Sequence, residues 1–196
     1  MSVATPARVY TADDLLAMPD DGVRRWVIRG ELREEPTEFA ELGMTIRNRL
    51  HSQVMATASG ILRDWQRALP QPHGGAYCGE VGVILPTEPT TTVGVDIVLT
   101  SAEMEAAQTE ATTLLEGVPL LMVEIWSPST TKATMDEKVA EYLAVNVPTV
   151  WVIDPRWQSV TIYHPNQRPM TFYPPDSLPA DANLPGLTVA VRDLFE

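Results

Sequence analysis

What this sequence has little of narrows its class first. It contains one cysteine, Cys78, which cannot form an internal bridge, and its three histidines show no zinc-ligand spacing. The fold must then rest on an apolar core, and a reducing compartment, by default the cytoplasm, is expected. No apolar run is long enough to span a bilayer, and the N-terminal stretch lacks a charged segment followed by an apolar one, so neither membrane insertion nor secretion is expected. A glycine-rich phosphate loop, internal repeats and low-complexity tracts are all missing. Cations are scarce as well: 14 Lys and Arg stand against 26 Asp and Glu, a net charge of −12. Such a chain does not adhere to polyanions non-specifically, because phosphate neutralisation needs Lys and Arg. A nucleic-acid role would require its basic residues to gather on one face.

What is present is an apolar fraction of 44% over 196 residues, enough for one domain with one core. Thr11 to Asp14 followed by Leu15, Leu16 and Met18 predicts a capped helix ended by a turn cluster from Pro19 to Gly22. Trp26–Ile28, Arg29-Gly30 and Glu31–Glu34 predict a tight hairpin, giving an N-terminal helix and hairpin over 11–35. From Met44 to Leu69, Leu50, Val54, Met55, Ala58, Ile61, Leu62 and Trp65 recur at spacings of three and four, which predicts a long helix over about 46–69. Arg47, Arg49, Arg63 and Arg67 make its exposed side basic. Apolar runs at Glu80–Leu85, Val95–Leu99, Leu120–Trp126, Val150–Ile153 and Val160–Tyr163 predict strands. Thr134 to Glu137 fits a capping box, so a helix to Leu143 would link two of these strands as a parallel crossover, and 154–158 would be a hairpin turn. The expectation is an α/β domain with a mixed sheet flanked by helices, a core over 80–164 and a surface wrap over 165–196.

Two strands spend a core position on an acid. Asp96 interrupts Gly94–Leu99, and strand alternation sets Glu124 and Trp126 opposite Leu121, Val123 and Ile125. Burying an unpaired carboxylate in such company costs several kcal/mol, so each needs a partner. One account is a shared hard cation, Mg²⁺ or Mn²⁺, which takes one or two protein carboxylates and fills its other sites with water or phosphate oxygens. The bland account gives each acid its own arginine.

Here the chain resembles the Uma-two family of restriction endonucleases, built on the PD-(D/E)xK nuclease fold. The matching residues are Arg29-Gly30-Glu31-Leu32, Arg47-Asn48-Arg49-Leu50-His51-Ser52, Glu80-Val81-Gly82-Val83, Gly94-Val95-Asp96-Ile97, Val123-Glu124-Ile125-Trp126-Ser127-Pro128-Ser129, Asp136, Lys138 and Tyr142, Val147 to Pro155, Leu184-Pro185-Gly186-Leu187 and Leu194-Phe195. The resemblance spans nearly the whole chain and implies a metal-dependent DNA endonuclease. Asp96 stands for the family's motif aspartate and Glu124 for its second acid. Val95 replaces the usual proline before the aspartate. More consequentially, Trp126 occupies the strand position where the nuclease motif carries its lysine.

Lys138, on the helix that follows, is the candidate replacement: a long stem can carry its amine back to the sheet end and stabilise transition-state charge. A solvated lysine paired with Asp136 or Glu141 is the plain alternative. Glu80 is a candidate third ligand, or an ordinary strand-end glutamate. Arg47, Arg49, His51 and Lys132 are candidate phosphate contacts, His51 being as readily a boundary histidine of the helix face. Without a strand lysine, a catalytically inactive binding or dimerisation module on the same fold, including a homodimer, stays open beside the nuclease.

Overall fold

Thr11 opens the first helix as its sequence requires. The Thr11 hydroxyl accepts from the Asp14 N–H and the Asp14 carboxylate accepts from the Thr11 N–H, which starts α1 (Ala12–Leu16). The structure, a computed structural model, describes residues 8–36, 48–109 and 112–196. The expected hairpin follows as β1 (Val23–Ile28) and β2 (Glu31–Pro36). Its two turn residues both take positive φ, 47° at Arg29 and 76° at Gly30, the twist-matched geometry of a two-residue hairpin loop. A Cβ at Gly30 would stand 2.7 Å from a Val9 methyl, so glycine is required there for space as well as for φ.

The long helix α2 (Arg49–Ala68) buries His51, Val54, Ala58, Leu62 and Gln66, one face at helical spacing. It starts later than expected. Asn48 is extended and its side chain accepts from the His51 N–H, so Asn48 is the cap and Arg49 the first helical residue. Residues 44–47 of the expected helix, Arg47 among them, lie outside the described residues.

The five expected strands are β3 (Ala76–Leu85), β4 (Thr91–Leu99), β6 (Leu121–Ile125), β7 (Thr149–Asp154) and β8 (Ser159–Tyr163). Helix α4 (Lys132–Ala144) joins β6 to a parallel β7, and 155–158 turns β7 back into an antiparallel β8. The cap of α4 is Thr131 rather than Thr134: the Thr131 hydroxyl accepts from the Thr134 N–H, and the Thr131 N–H is held by Glu35 of β2. That tertiary contact moves the helix start one turn earlier. Three short elements carried too little pattern to be expected: α3 (Ala102–Ala107), β5 (Leu115–Glu116) and β9 (Met170–Phe172).

The strands form one mixed sheet in the order β2-β1-β4-β6-β7-β8-β9, with β3 on the other flank of β4 and β5 beside β3. This is the expected α/β architecture. One apolar cluster packs Val54, Ala58 and Leu62 of α2 against Ile97, Leu121, Val123 and Ile153; the other packs Met135, Val139 and Tyr142 of α4 against Trp26, Val95, Met122 and Val152. The C-terminal stretch is more than a surface wrap, because Leu178, Leu184, Val189, Val191 and Leu194 are buried in the α2-side cluster. The apolar residues scattered among its prolines have no strand or helix period, so their burial was invisible to pattern reading.

The sheet forks at β4. Along one flank, β3 pairs from Thr91 to Leu99; along the other, β1 pairs only at Thr92 and β6 only at Ile97–Leu99. Between them the chain from Val93 to Asp96 has no strand partner on that side. The fork is where the candidate site lies.

Candidate active site

A bulge marks the fork. Cys78 pairs with Ile97 and Val81 with Val95, so two residues of β3, Gly79 and Glu80, stand opposite the single residue Asp96. Both take positive φ, 101° at Gly79 and 58° at Glu80. For a glutamate that is an uncommon, strained conformation, of the kind that gathers where a side chain must be aimed. The Glu80 carboxylate is thereby laid over Gly94, where any Cβ would meet its Oε2 at 2.7 Å. On β4 the alternation also changes across Asp96: Val93 and Val95 belong to the α4-side cluster, Ile97 and Leu99 to the α2-side cluster.

The pairing of β4 with β6 carries Asp96 and Glu124 on neighbouring strands. Continuing the register Ile97↔Val123 by one step sets Asp96 opposite Glu124, and Asp96 Oδ2 accepts the Ile125 N–H at 2.7 Å, the peptide directly after Glu124. The two carboxylates are 4% and 5% exposed. Lys138 is also buried and turns inward: its Nζ lies 2.6 Å from Glu124 Oε1 and donates to the Gly94 carbonyl at 2.8 Å, a carbonyl left free by the fork. Tyr142, one turn further along α4, donates its hydroxyl to the same Glu124 Oε1 at 2.5 Å. Glu124 Oε2 accepts no hydrogen bond among the described residues.

His51 is a correction to its expectation as a phosphate contact. It is 2% exposed, with Nε2 3.1 Å from Asp96 Oδ1, so it faces the carboxylate rather than solvent. Its Nδ1 is buried without a partner among the described residues.

Electrostatics separate the two acids. Burial acts to raise the Asp96 carboxyl, but the His51 hydrogen bond and charge, the Ile125 N–H and the more distant Lys138 outweigh it and hold the group below its ordinary value. Burial also dominates Glu124, and with the repulsion from Asp96 it pushes that carboxyl above its ordinary range in spite of Lys138 and Tyr142. Burial, then the Glu124 charge, holds the Tyr142 phenol well above its usual range, so it stays a donor.

Around this centre, Arg24 pairs with Glu35, donates to the Thr130 hydroxyl at 3.2 Å, and lies 4.0 Å from Glu80. Arg24, Glu80 and Asp96 line an open cleft of about 420 Å³ together with Val23, Arg25, Met55 and Gly79. The other expected basic contacts do not converge here. Lys132 is exposed and paired with Asp136 one turn away. Arg63 and Arg67 are exposed on α2, but at 1.5 Å per residue they sit roughly 18 and 24 Å along the axis from His51. Arg49 is exposed at the first position of α2, and Arg47 lies outside the described residues. Sequence reasoning missed Arg24, Glu35 and the His51–Asp96 contact, which are made by long-range pairing. Tyr142 was within reach: four residues after Lys138, it had to share that lysine's helix face.

The fold has a counterpart among known proteins. The profile of the Uma2 family, described as "Putative restriction endonuclease", matches residues 12–192, and the chain belongs to this family. Its fold is shared with a crystal structure described as "a putative nuclease belonging to DUF820" from Anabaena variabilis. The TM-score is 0.74 at 20% identity, covering 95% of this chain and 97% of that one. No curated protein matches the chain. Among the described residues no helix is long and apolar enough to cross a membrane.

Proposed function

We propose that this chain is a metal-dependent endonuclease that hydrolyses phosphodiester bonds in DNA. The observation that supports it most is the position of Lys138. Its ammonium meets Glu124 beside Asp96, so a helix supplies the cation that Trp126 cannot supply from the strand. Family membership and the shared fold point the same way.

The donor set fits a hard divalent cation. Its two buried acids are hard oxygen donors, and an ion such as Mg²⁺ takes one or two protein carboxylates and fills its other positions with water and phosphate oxygens. Charge agrees: four carboxylates, those of Asp96, Glu124, Glu80 and Glu35, face two cationic side chains, Lys138 and Arg24. Asp96 and Glu124 would hold Mg²⁺ or Mn²⁺, with Glu80 at the rim. When bound, the ion would polarise the phosphodiester and lower the pKa of a bound water.

The protein's own groups divide the remaining work. Lys138 has three N–H donors, of which Glu124 and Gly94 engage two; the third is left for the attacking water or a phosphate oxygen, where a fixed positive charge stabilises the developing negative charge. His51 holds Asp96, and Tyr142 with Lys138 fixes Oε1 of Glu124, leaving Oε2 for ligation. Arg24 lines the cleft with its Nη2 held by Glu35 and Thr130, which leaves Nη1 to meet a phosphate oxygen.

The acidic balance of the chain favours a second reading, an inactive module on this fold that binds or dimerises without cleaving. Conversion of supercoiled plasmid to nicked and linear forms in Mg²⁺ or Mn²⁺, absent in EDTA and in the Asp96→Asn variant, decides between them. A purified chain that leaves plasmid intact under every metal condition supports the module.

A further inference from the structure

A second concavity adjoins the acid site and has a different chemistry. Leu50, Trp126, Pro128 and Pro155 line a groove of about 310 Å³, flanked by Arg49 and Arg156. That volume lies at the small end of the ~300–1,000 Å³ usual for small-ligand sites. Two elements link it to the acid site. Leu50 precedes His51, whose ring touches Asp96, and Trp126 follows Glu124 by two residues on β6. The groove also lies past the carboxyl ends of the parallel strands β6 and β7, the edge of an α/β sheet where ligands usually bind.

The groove combines apolar and cationic side chains. Leu50 is 46% exposed, an apolar side chain left in water at the first turn of a helix whose other face is core. Two arginines flank it in a chain that carries a net charge of −12, Arg156 being exposed and also paired with Asp154 at 3.3 Å. An apolar slot with an indole and two guanidinium groups suits one ligand chemistry: a planar ring attached to phosphates. Resting on the nuclease reading, we infer that this groove is a subsite for one unpaired nucleotide of the substrate strand. Its base packs on Leu50 and Trp126, and the neighbouring phosphates meet Arg49 and Arg156. A base can enter only when it is out of the duplex stack, so the substrate class is single-stranded or locally opened DNA.

The test uses the full chain and a short fluorescein-labelled single-stranded oligonucleotide, its duplex form, and a set with one abasic site stepped along the strand. Binding is read by anisotropy in Ca²⁺ and in EDTA. The wild type is expected to bind the single strand more tightly than the duplex and to lose on the order of tenfold when the abasic site reaches one particular position. Leu50→Glu should weaken the intact strand by a similar factor and abolish that positional loss, while melting like the wild type because Leu50 contributes little to the core. Arg49→Ala with Arg156→Ala should flatten the salt dependence by about 0.7 in log–log slope per lost phosphate contact. A flat abasic scan, tighter duplex binding, or variants that bind as the wild type overturn the subsite. If plasmid is still cleaved in that case, the nuclease reading survives alone; if no DNA is bound or cleaved, both are overturned.

Discussion

Lys138 Nζ stands 2.6 Å from Glu124 Oε1, so the helix after β6 brings to the acid pair an ammonium group that the strand itself lacks. The contact is buried on both sides, with side chains 11% and 7% exposed, and a buried pair behaves differently from a surface one when one member is removed. Lys138→Met should therefore destabilise the fold by about 3–5 kcal/mol, because Glu124 is left as an uncompensated buried charge. Lys138→Met combined with Glu124→Gln should regain most of that loss. Urea unfolding reads both; a single variant as stable as the wild type would mean that the pair does not form in solution.

Gly94 is the second handle on the site. A methyl group at this position would meet only the far end of the Glu80 side chain, which can swing away, and alanine suits a strand better than glycine. Gly94→Ala should change stability by less than about 1 kcal/mol while moving the Glu80 carboxylate off the fork. If Glu80 supports the metal, Mn²⁺ affinity by calorimetry falls in this variant and in Glu80→Gln alike. Unchanged affinity in both removes Glu80 from the ligand set.

Away from the fork, Tyr77 donates its hydroxyl to Glu105 at 2.6 Å, tying β3 to α3. Burial, then the hydrogen bond to Glu105 and its charge, pushes the phenol up to about 12 from an ordinary 10. The protonated form is thus favoured by the fold, so its contribution is complete below pH 10 and is lost as the pH rises towards 12. Stability of the wild type should fall through that window, and Tyr77→Phe should remove this part of the slope. An identical slope in the variant would contradict the linkage.

The basic residues of α2 should divide by position rather than by charge. Arg63 and Arg67, far along the axis from His51, should be replaceable by alanine with no change in the salt dependence of DNA binding, whereas Arg49→Ala should flatten it. Equal effects at both ends of the helix would show that DNA follows the whole face.

Much of this site was legible in the sequence because each acid broke a strand pattern. Asp96 and Glu124 stood out as carboxylates in apolar runs, whereas Lys138 became a candidate only through the resemblance to the nuclease family, whose strand lysine is replaced here by Trp126. The start of α4 was misread by one turn because Glu35, distant in sequence, holds the Thr131 N–H. The bulge at Gly79 and Glu80, and the fork that frees the Gly94 carbonyl, are products of strand pairing across the sheet, which local periodicity does not encode. His51 looked like an ordinary boundary residue because its partner, Asp96, lies on another element. Arg63 and Arg67 do not gather with Arg49 for a simpler reason: fourteen and eighteen positions further along one helix, they lie roughly 21 and 27 Å from it.

The most direct measurement is cleavage of supercoiled plasmid by the wild type, Glu124→Gln and Lys138→Met in Mg²⁺, Mn²⁺ and EDTA, with each protein first shown to be folded by its far-ultraviolet dichroism. The wild type should nick and linearise the plasmid only with metal. Glu124→Gln and Lys138→Met should each lose a factor on the order of a hundred or more, as expected when a group that stabilises transition-state charge is removed. A wild type that cleaves equally well in EDTA, or a folded Lys138→Met that cleaves as fast as the wild type, would contradict the assignment of the acid pair and its lysine as the catalytic centre.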